Sequence, residues 1–205
     1  MSRSVDVVGA VLLLLLFSPV LVAAAILIAI DSRGPVLFRQ ERVGRSMRPF
    51  HILKLRTMAA TPGGAEFEFK PRAITRAGKW LRRWKLDELP QLWNVVRGEM
   101  SLVGSRPELK KYVEMFRSEY KMLLRRRPGL TDPAAIAYRH EAELLANEPD
   151  PEAAYFTRIL PDKLRLSMAY AERRSLASDL AVLLQTVGAL PRRATPTPPT
   201  RSLPR

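Results

Sequence analysis

The chain has 205 residues, 34 Lys+Arg against 20 Asp+Glu, a formal net charge of +14 and a hydrophobic fraction of 47%. These values limit it to one domain with at most short appendages, exclude wholesale disorder, and ask for an anionic partner: nucleic acid, acidic lipid headgroups or phosphorylated substrates. The absence of cysteine excludes a disulfide scaffold, a thiolate metal site and a cysteine nucleophile, and two histidines far apart (His51 and His140) make a poor metal site, so chemistry must rest on carboxylates, hydroxyls, Lys and Arg.

The run from Val7 to Ile30 is free of charge and consists mostly of Leu, Val, Ala and Ile. As a helix it reaches about 36 Å, enough to cross the hydrocarbon core of a bilayer. It is too long for a cleaved signal peptide and has no matching cleavage site, so membrane insertion is expected. Ser18-Pro19 lies at its middle. Pro19 cannot donate a backbone hydrogen bond, so a kink or break is expected there, with Ser18 able to bond a freed carbonyl. Two topologies fit: a kinked span, which the pattern alone slightly favours, and a re-entrant hairpin of two half-helices. Arg3 precedes the run, and Arg33, Arg39, Arg42, Arg45 and Arg48 follow it. A span places the larger cluster in the cytoplasm and a hairpin places both ends there, so either way the remaining chain is cytoplasmic.

Next, GPVLFRQERVG and RPFHILKLRTM read as two strands bounded by Gly34-Pro35, Gly44 and Pro49, a small β-hairpin. Thr61-Pro62-Gly63-Gly64 marks a loop. Residues 72–85 form a basic amphipathic pattern carrying Trp80 and Trp84. That pattern suits a membrane interface, and equally a solvated basic face with the tryptophans in the core. PQLWNVVR, from Pro90 to the stop at Gly98, is a well-signalled short helix. A longer helix is expected over 107–127, ending in Arg125-Arg126-Arg127, with further helices around 138–147, 151–160 and 162–188. The proline-rich tail 191–205 reads as disordered.

Asp87-Glu88 directly precedes Pro90. Two acids there can simply cap the helix and favour its dipole. Their surroundings argue for more: Lys79, Arg82, Arg83 and Lys85 lie upstream, Lys54 and Arg56 on the second strand, and Arg106 in the turn Gly104-Ser105-Arg106-Pro107. Carboxylates set among Arg and Lys suit a metal-bound diphosphate, because Mg²⁺ takes one or two carboxylates plus phosphate oxygens and guanidinium groups hold phosphate in pairs. An aspartate can also attack phosphorus and form an acyl phosphate.

The stretch from Lys85 to Leu109 (KLDELPQLWNVVRGEMSLVGSRPEL) strongly resembles the signature of bacterial sugar transferases, the monotopic polyprenyl-phosphate phosphoglycosyl transferases. DSRGPVLFRQERVGRSMRPFHILKLRTM (Asp31 to Met58), RPGLTDPAAIAYRHEAELL (from Arg127) and LPDKLRLSMAY (from Leu160) resemble further blocks, and Ser18-Pro19 coincides with the family's helix break. The resemblance covers roughly residues 3–190.

The resemblance implies that the Ser18-Pro19 break makes a re-entrant helix rather than a span. It implies that Asp87 is the nucleophile and an Mg²⁺ ligand, and that Glu88 assists by positioning metal or handling a proton. Lys54, Arg56, Arg106 and Arg139 are the candidate phosphate and substrate contacts. The implied reaction transfers a sugar-1-phosphate from a nucleotide diphosphate-sugar, expected to be a UDP-sugar, to polyprenyl (undecaprenyl) phosphate. That is the first membrane step of surface polysaccharide or glycoconjugate assembly. Three departures stand out: Ser105 replaces the usual proline of the Gly-Pro-Arg-Pro turn, Asp132-Pro133 replaces a Gly-containing pair, and Ser167 lies where many members carry Asp.

The fold expected is mainly α with a small β-hairpin. Residues 1–30 form a re-entrant membrane helix hairpin, residues 31–190 a compact cytoplasmic catalytic domain with amphipathic interfacial helices, and residues 191–205 a disordered tail. The location expected is the cytoplasmic face of the bacterial inner membrane, with membrane lipids as partners and no nucleic acid, since no nucleic-acid-binding signature is present. A homo-oligomer and downstream glycosyltransferases are further partners considered. The alternative function is a membrane-anchored basic binding or scaffold protein without catalysis.

Overall fold

A computed structural model describes residues 2–59 and 74–189. The loop expected at 61–64 and the tail 191–205 lie outside the described residues, as do the first residues of the basic pattern at 72–85.

Helix α1 runs from Arg3 to Asp31. It continues through Pro19, where two half-helices were expected. The missing Pro19 N–H leaves the Leu15 carbonyl without its helical donor, and the Ser18 hydroxyl donates to that oxygen at 2.8 Å. One stripe of α1 is buried, at Asp6, Ala10, Ala24 and Ile28, and Leu13, Leu14 and Leu21 pack along it. The spacing is that of one helical face. The other faces leave Val8, Leu12, Leu15, Leu16, Val22, Ile26 and Ile30 exposed.

Strands β1 (Leu37–Val43) and β2 (Pro49–Leu55) form the expected antiparallel hairpin, with Leu37 opposite Leu55 and Val43 opposite Pro49. Helix α2 (Arg76–Arg83) starts where Thr75 Oγ1 accepts from the Gly78 N–H. It buries Leu81 while Trp80 and Trp84 stay 49% and 39% exposed, so the tryptophans are not core residues. Helix α3 (Gln91–Arg97) begins after Pro90 and stops at Gly98, whose φ of 86° is a conformation glycine adopts without strain.

Strand β3 (Ser101–Val103) pairs in parallel with β4 (Gly129–Thr131). The approach is so close that a Cβ on Gly129 would meet the Gly104 nitrogen at 2.1 Å. This pair was not foreseen, because three-residue strands carry too little pattern to read. The helix expected over 107–127 is instead two, α4 (Lys110–Met115) and α5 (Arg117–Leu123), broken where Phe116 leaves helical backbone (φ −120°, ψ 44°). Tyr112, Val113, Tyr120 and Leu123 are thereby all buried in one core.

Helix α6 (Pro133–Ala137), also not foreseen, is capped by Asp132, whose Oδ1 accepts from the Ala135 N–H at 2.7 Å. Helices α7 (Glu141–Ala146) and α8 (Pro151–Ala154) follow, and a π-helical turn over Tyr155–Ile159 leads into α9 (Leu160–Glu172). The expected helix over 162–188 is divided, with α10 (Leu176–Ala189) a separate element. The division lets Arg174 turn inward to bond Asp179 and the Val103 carbonyl. One core joins α1, β2, α3, β3 and α10 through Ala10, Ile52, Val95, Leu102 and Val182. It seats the segment between α2 and α3 against the hairpin and α1.

Candidate active site

Asp87 and Glu88 lie in a single tight turn, Leu86–Glu88, between α2 and α3. Lys85 enters it with a left-handed backbone (φ 55°, ψ 21°), a conformation unusual for a residue with a side chain and often found where function fixes the chain. Both acids face inward. Asp87 is only 7% exposed, and its Oδ1 is buried with no hydrogen-bond partner. Neither carboxylate caps α3, whose first turn has no side-chain cap, so capping does not account for the pair.

Glu88 is locked. Arg106 Nη1 donates to its Oε2 at 2.9 Å, Nη2 donates to Oε1, and Lys54 Nζ lies 3.9 Å from Oε1. Burial pushes the Glu88 carboxyl up, but Arg106 first, then Lys54 and Lys85, outweigh it and hold the group well below the usual carboxylate range. It is therefore ionised at any physiological pH. Asp87 moves the opposite way. Burial and then the neighbouring Glu88 charge raise it above an ordinary aspartate, against the pull of Lys54, Lys85 and Arg82. Two adjacent acids are thus separated in character, one a fixed anion in an ion pair and the other an unpaired carboxylate facing cations.

The sequence candidates divide. Lys54 and Arg106 join the pair, as do Lys85 and Arg82, which bear on Asp87 electrostatically. Arg56 does not. Its guanidinium, 7% exposed, donates to the carbonyls of Ile28, Ser32 and Pro35 and to the Ser32 hydroxyl, closing the C-terminal end of α1. Arg139 lies between α6 and α7 and donates from Nε to His140 Nε2 at 2.8 Å. It is not among the cations that act on either acid. Ser18 and Pro19 belong to α1, away from the acid pair's partners.

A cleft opens beside the pair between β2, α3, the turn at Arg106 and α9, lined by Lys54, Gln91, Arg106, Glu108, Tyr155 and Lys163. Its floor is a buried network that sequence reasoning missed. Arg42 pairs with Glu108 Oε1 at 2.6 Å, and the Tyr155 hydroxyl donates to Glu108 Oε2 at 2.7 Å. Only the blocks' juxtaposition in space could have revealed it, since these residues come from three distant segments. Among the described residues no three His, Asp or Glu side chains gather as a metal cage. A divalent cation would fit as a one-carboxylate site on the unpartnered Asp87 oxygen, completed by phosphate oxygens as is usual for Mg²⁺.

Two of the departures noted in the sequence meet. The Ser167 hydroxyl on α9 donates to Asp132 Oδ2 at 2.5 Å, in a fully buried contact.

The sequence profile described as bacterial sugar transferase matches residues 1–193. The chain is 38% identical over 196 residues to a UDP-glucose:undecaprenyl-phosphate glucose-1-phosphate transferase of Caulobacter vibrioides, covering 92% of this chain and 69% of that protein. It is 36% identical over 192 residues to a UDP-N-acetylgalactosamine-undecaprenyl-phosphate N-acetylgalactosaminephosphotransferase of Aeromonas hydrophila, covering 91% of this chain but 42% of that protein. The exopolysaccharide production protein ExoY of Rhizobium meliloti is 33% identical over 208 residues, covering 92% of this chain and 84% of that protein. The chain thus spans less than half the length of the Aeromonas relative.

Proposed function

The chain belongs to the bacterial sugar transferase family, and on that premise we propose that it moves a sugar-1-phosphate from a UDP-sugar to undecaprenyl phosphate through a covalent bond to Asp87. The observation that carries this reading is the unpartnered, buried Oδ1 of Asp87 beside an ion-paired Glu88. A carboxylate nucleophile must be unpaired, yet anionic phosphates must be drawn toward it, and Lys54, Lys85, Arg82 and Arg106 supply the attraction.

In the first step an Asp87 oxygen attacks the sugar-bearing phosphorus. The bond between that phosphorus and the bridging oxygen breaks, and nucleoside monophosphate leaves with the bridging oxygen. In the second step an oxygen of undecaprenyl phosphate attacks the same phosphorus, the bond to Asp87 breaks, and the carboxylate is restored. No water or oxidant enters. Asp87 would hold Mg²⁺ together with phosphate oxygens, and the ion would neutralise charge developing on the leaving oxygen. Glu88, held ionised by Arg106, fixes the guanidinium in place and is a positioning residue rather than a proton carrier.

The way α1 is held supports a membrane seat for it. Arg3 at its start donates to the carbonyls of Val95 and Val96, and Asp6 accepts from the Leu102 N–H. At its far end Asp31 accepts from the Ala77 N–H and Arg56 closes the last turn. Both ends are fastened to the domain that bears Asp87, which supports the reading that both lie on that domain's side, the cytoplasmic one, with the exposed apolar face of α1 in one leaflet. Exposed Leu176, Leu180, Leu184 and Val187 on α10, together with Trp80 and Trp84, suit the same monolayer.

The test is the intact mass of the protein after incubation with UDP-sugar and Mg²⁺ but no lipid acceptor. The wild type should gain one phosphosugar on the peptide containing Asp87, and Asp87→Asn should gain none. An adduct elsewhere, or an active Asp87→Asn enzyme, overturns the assignment. A folded wild type with neither adduct nor nucleoside monophosphate release points to a basic scaffold instead.

A further inference from the structure

Gln91 is the first residue of α3, four residues beyond Asp87 in the turn that leads into that helix. It is 1% exposed, and its side-chain Nε2 is buried with no hydrogen-bond partner. A buried amide donor left without an acceptor is costly, and native structures rarely keep one unless a ligand or water completes it. Gln91 lines the cleft beside the acid pair together with Lys54, Arg106 and Lys163. Two polar atoms, Gln91 Nε2 and Asp87 Oδ1, are therefore unsatisfied four residues apart, the first a donor and the second an acceptor.

We propose that Gln91 is a phosphate-binding residue, donating from Nε2 to a non-bridging oxygen of the phosphoryl group that Asp87 receives. This deepens the function proposed above and rests on it. The cations lining the cleft select an anion over a neutral hydroxyl. Lys54, Arg106 and Lys163 each bond or pair with an acid, Lys54 and Arg106 with Glu88 and Lys163 with Glu141. A neutral amide cannot be drawn into an ion pair with Glu88, so its proton stays directed at the substrate oxygen. The same donor can serve the diphosphate of the sugar donor or the phosphate of the lipid acceptor, since both bring a phosphoryl oxygen to this place.

Calorimetric binding to the purified full chain separates these cases, with inorganic pyrophosphate standing for the donor and farnesyl phosphate for the acceptor. Gln91→Ala should bind at least one of them ten-fold or more weakly at an unchanged melting temperature. Loss for pyrophosphate alone assigns the contact to the donor, loss for farnesyl phosphate alone assigns it to the acceptor, and loss for both assigns it to a shared phosphoryl position. Gln91→Glu, close in shape but anionic, should lose the same affinity, which keeps the proposal testable if the alanine variant does not fold. Equal binding by the wild type and both variants, or no binding of either probe by the wild type, overturns it. The adduct assay is read separately. A wild type that binds pyrophosphate through Gln91 but forms no phosphosugar adduct removes the transferase reading and leaves the phosphate site standing.

Discussion

The Ser167 hydroxyl and the Asp132 carboxylate, 35 residues apart, are joined by a 2.5 Å hydrogen bond inside the domain. The same carboxylate caps α6 through the Ala135 N–H. Burial raises the Asp132 carboxyl above its ordinary value, more than the Ser167 and Ala135 bonds lower it. The folded state therefore holds this proton more tightly than the unfolded chain. Its contribution to stability is intact below the unfolded value of 3.8 and declines as pH rises through the raised folded value.

Asp132→Asn should keep the cap and remove that decline. Its melting temperature relative to the wild type should be level near pH 4 and higher at neutral pH. Asp132→Ala should also lack that decline but lose the cap, about 0.5–2 kcal/mol relative to Asp132→Asn at every pH. Thermal unfolding of the three proteins across pH checks this. A neutral-pH loss in Asp132→Asn would show that the ionised form is the one the fold stabilises.

The opposed behaviour of the acid pair predicts a pH profile. In the proposed reaction Asp87 must be ionised to attack, and the Glu88 charge is one cause of its raised value. Glu88→Gln removes that charge and releases Arg106 and Lys54 from their ion pairs. The acid limb of adduct formation should therefore move to lower pH. The plateau rate should fall on the order of 10²-fold, because the Arg106 guanidinium loses the carboxylate that positions it. Single-turnover adduct formation against pH is the measurement, and an acid limb moving upward contradicts the arrangement.

Arg56 is a structural residue here. Arg56→Lys loses the planar fork that reaches Ser32 and Pro35 together, and should cost about 3 kcal/mol of stability. The KM for UDP-sugar should hardly change. Thermal stability and KM measured on one preparation separate the two roles, since a raised KM at unchanged stability would return Arg56 to the substrate.

The seat of α1 is tested by labelling. Exposed Ser2 and Arg33 bracket the helix in a chain free of cysteine, so Ser2→Cys and Arg33→Cys introduce unique thiols. Both should react from the cytoplasmic side alone. Reaction of Ser2→Cys only from the opposite side would establish a span and detach Arg3 from α3.

Local signals were legible in the sequence wherever neighbours along the chain decide the outcome. The hairpin at 37–55 follows from two strand-like runs broken by Gly44 and Pro49, and α3 follows from Pro90 and Gly98. The Asp87-Glu88 pair and the family were read from a contiguous block, which the profile match over residues 1–193 bears out for the family. Tertiary structure alone decided which cations serve that pair. Lys54 and Arg56 are two residues apart on one segment, yet Lys54 meets Glu88 while Arg56 turns to the end of α1, because alternate residues of an extended chain need not share partners once its neighbours are packed. It also decided that Asp132 and Ser167 meet, that Phe116 breaks a helix, and that α1 passes Pro19 unbroken with Ser18 supplying the missing bond. Each of these depends on which distant groups folding brings within about 3 Å of one another, and a hydrogen bond or ion pair has no counterpart in sequence spacing until that distance is set.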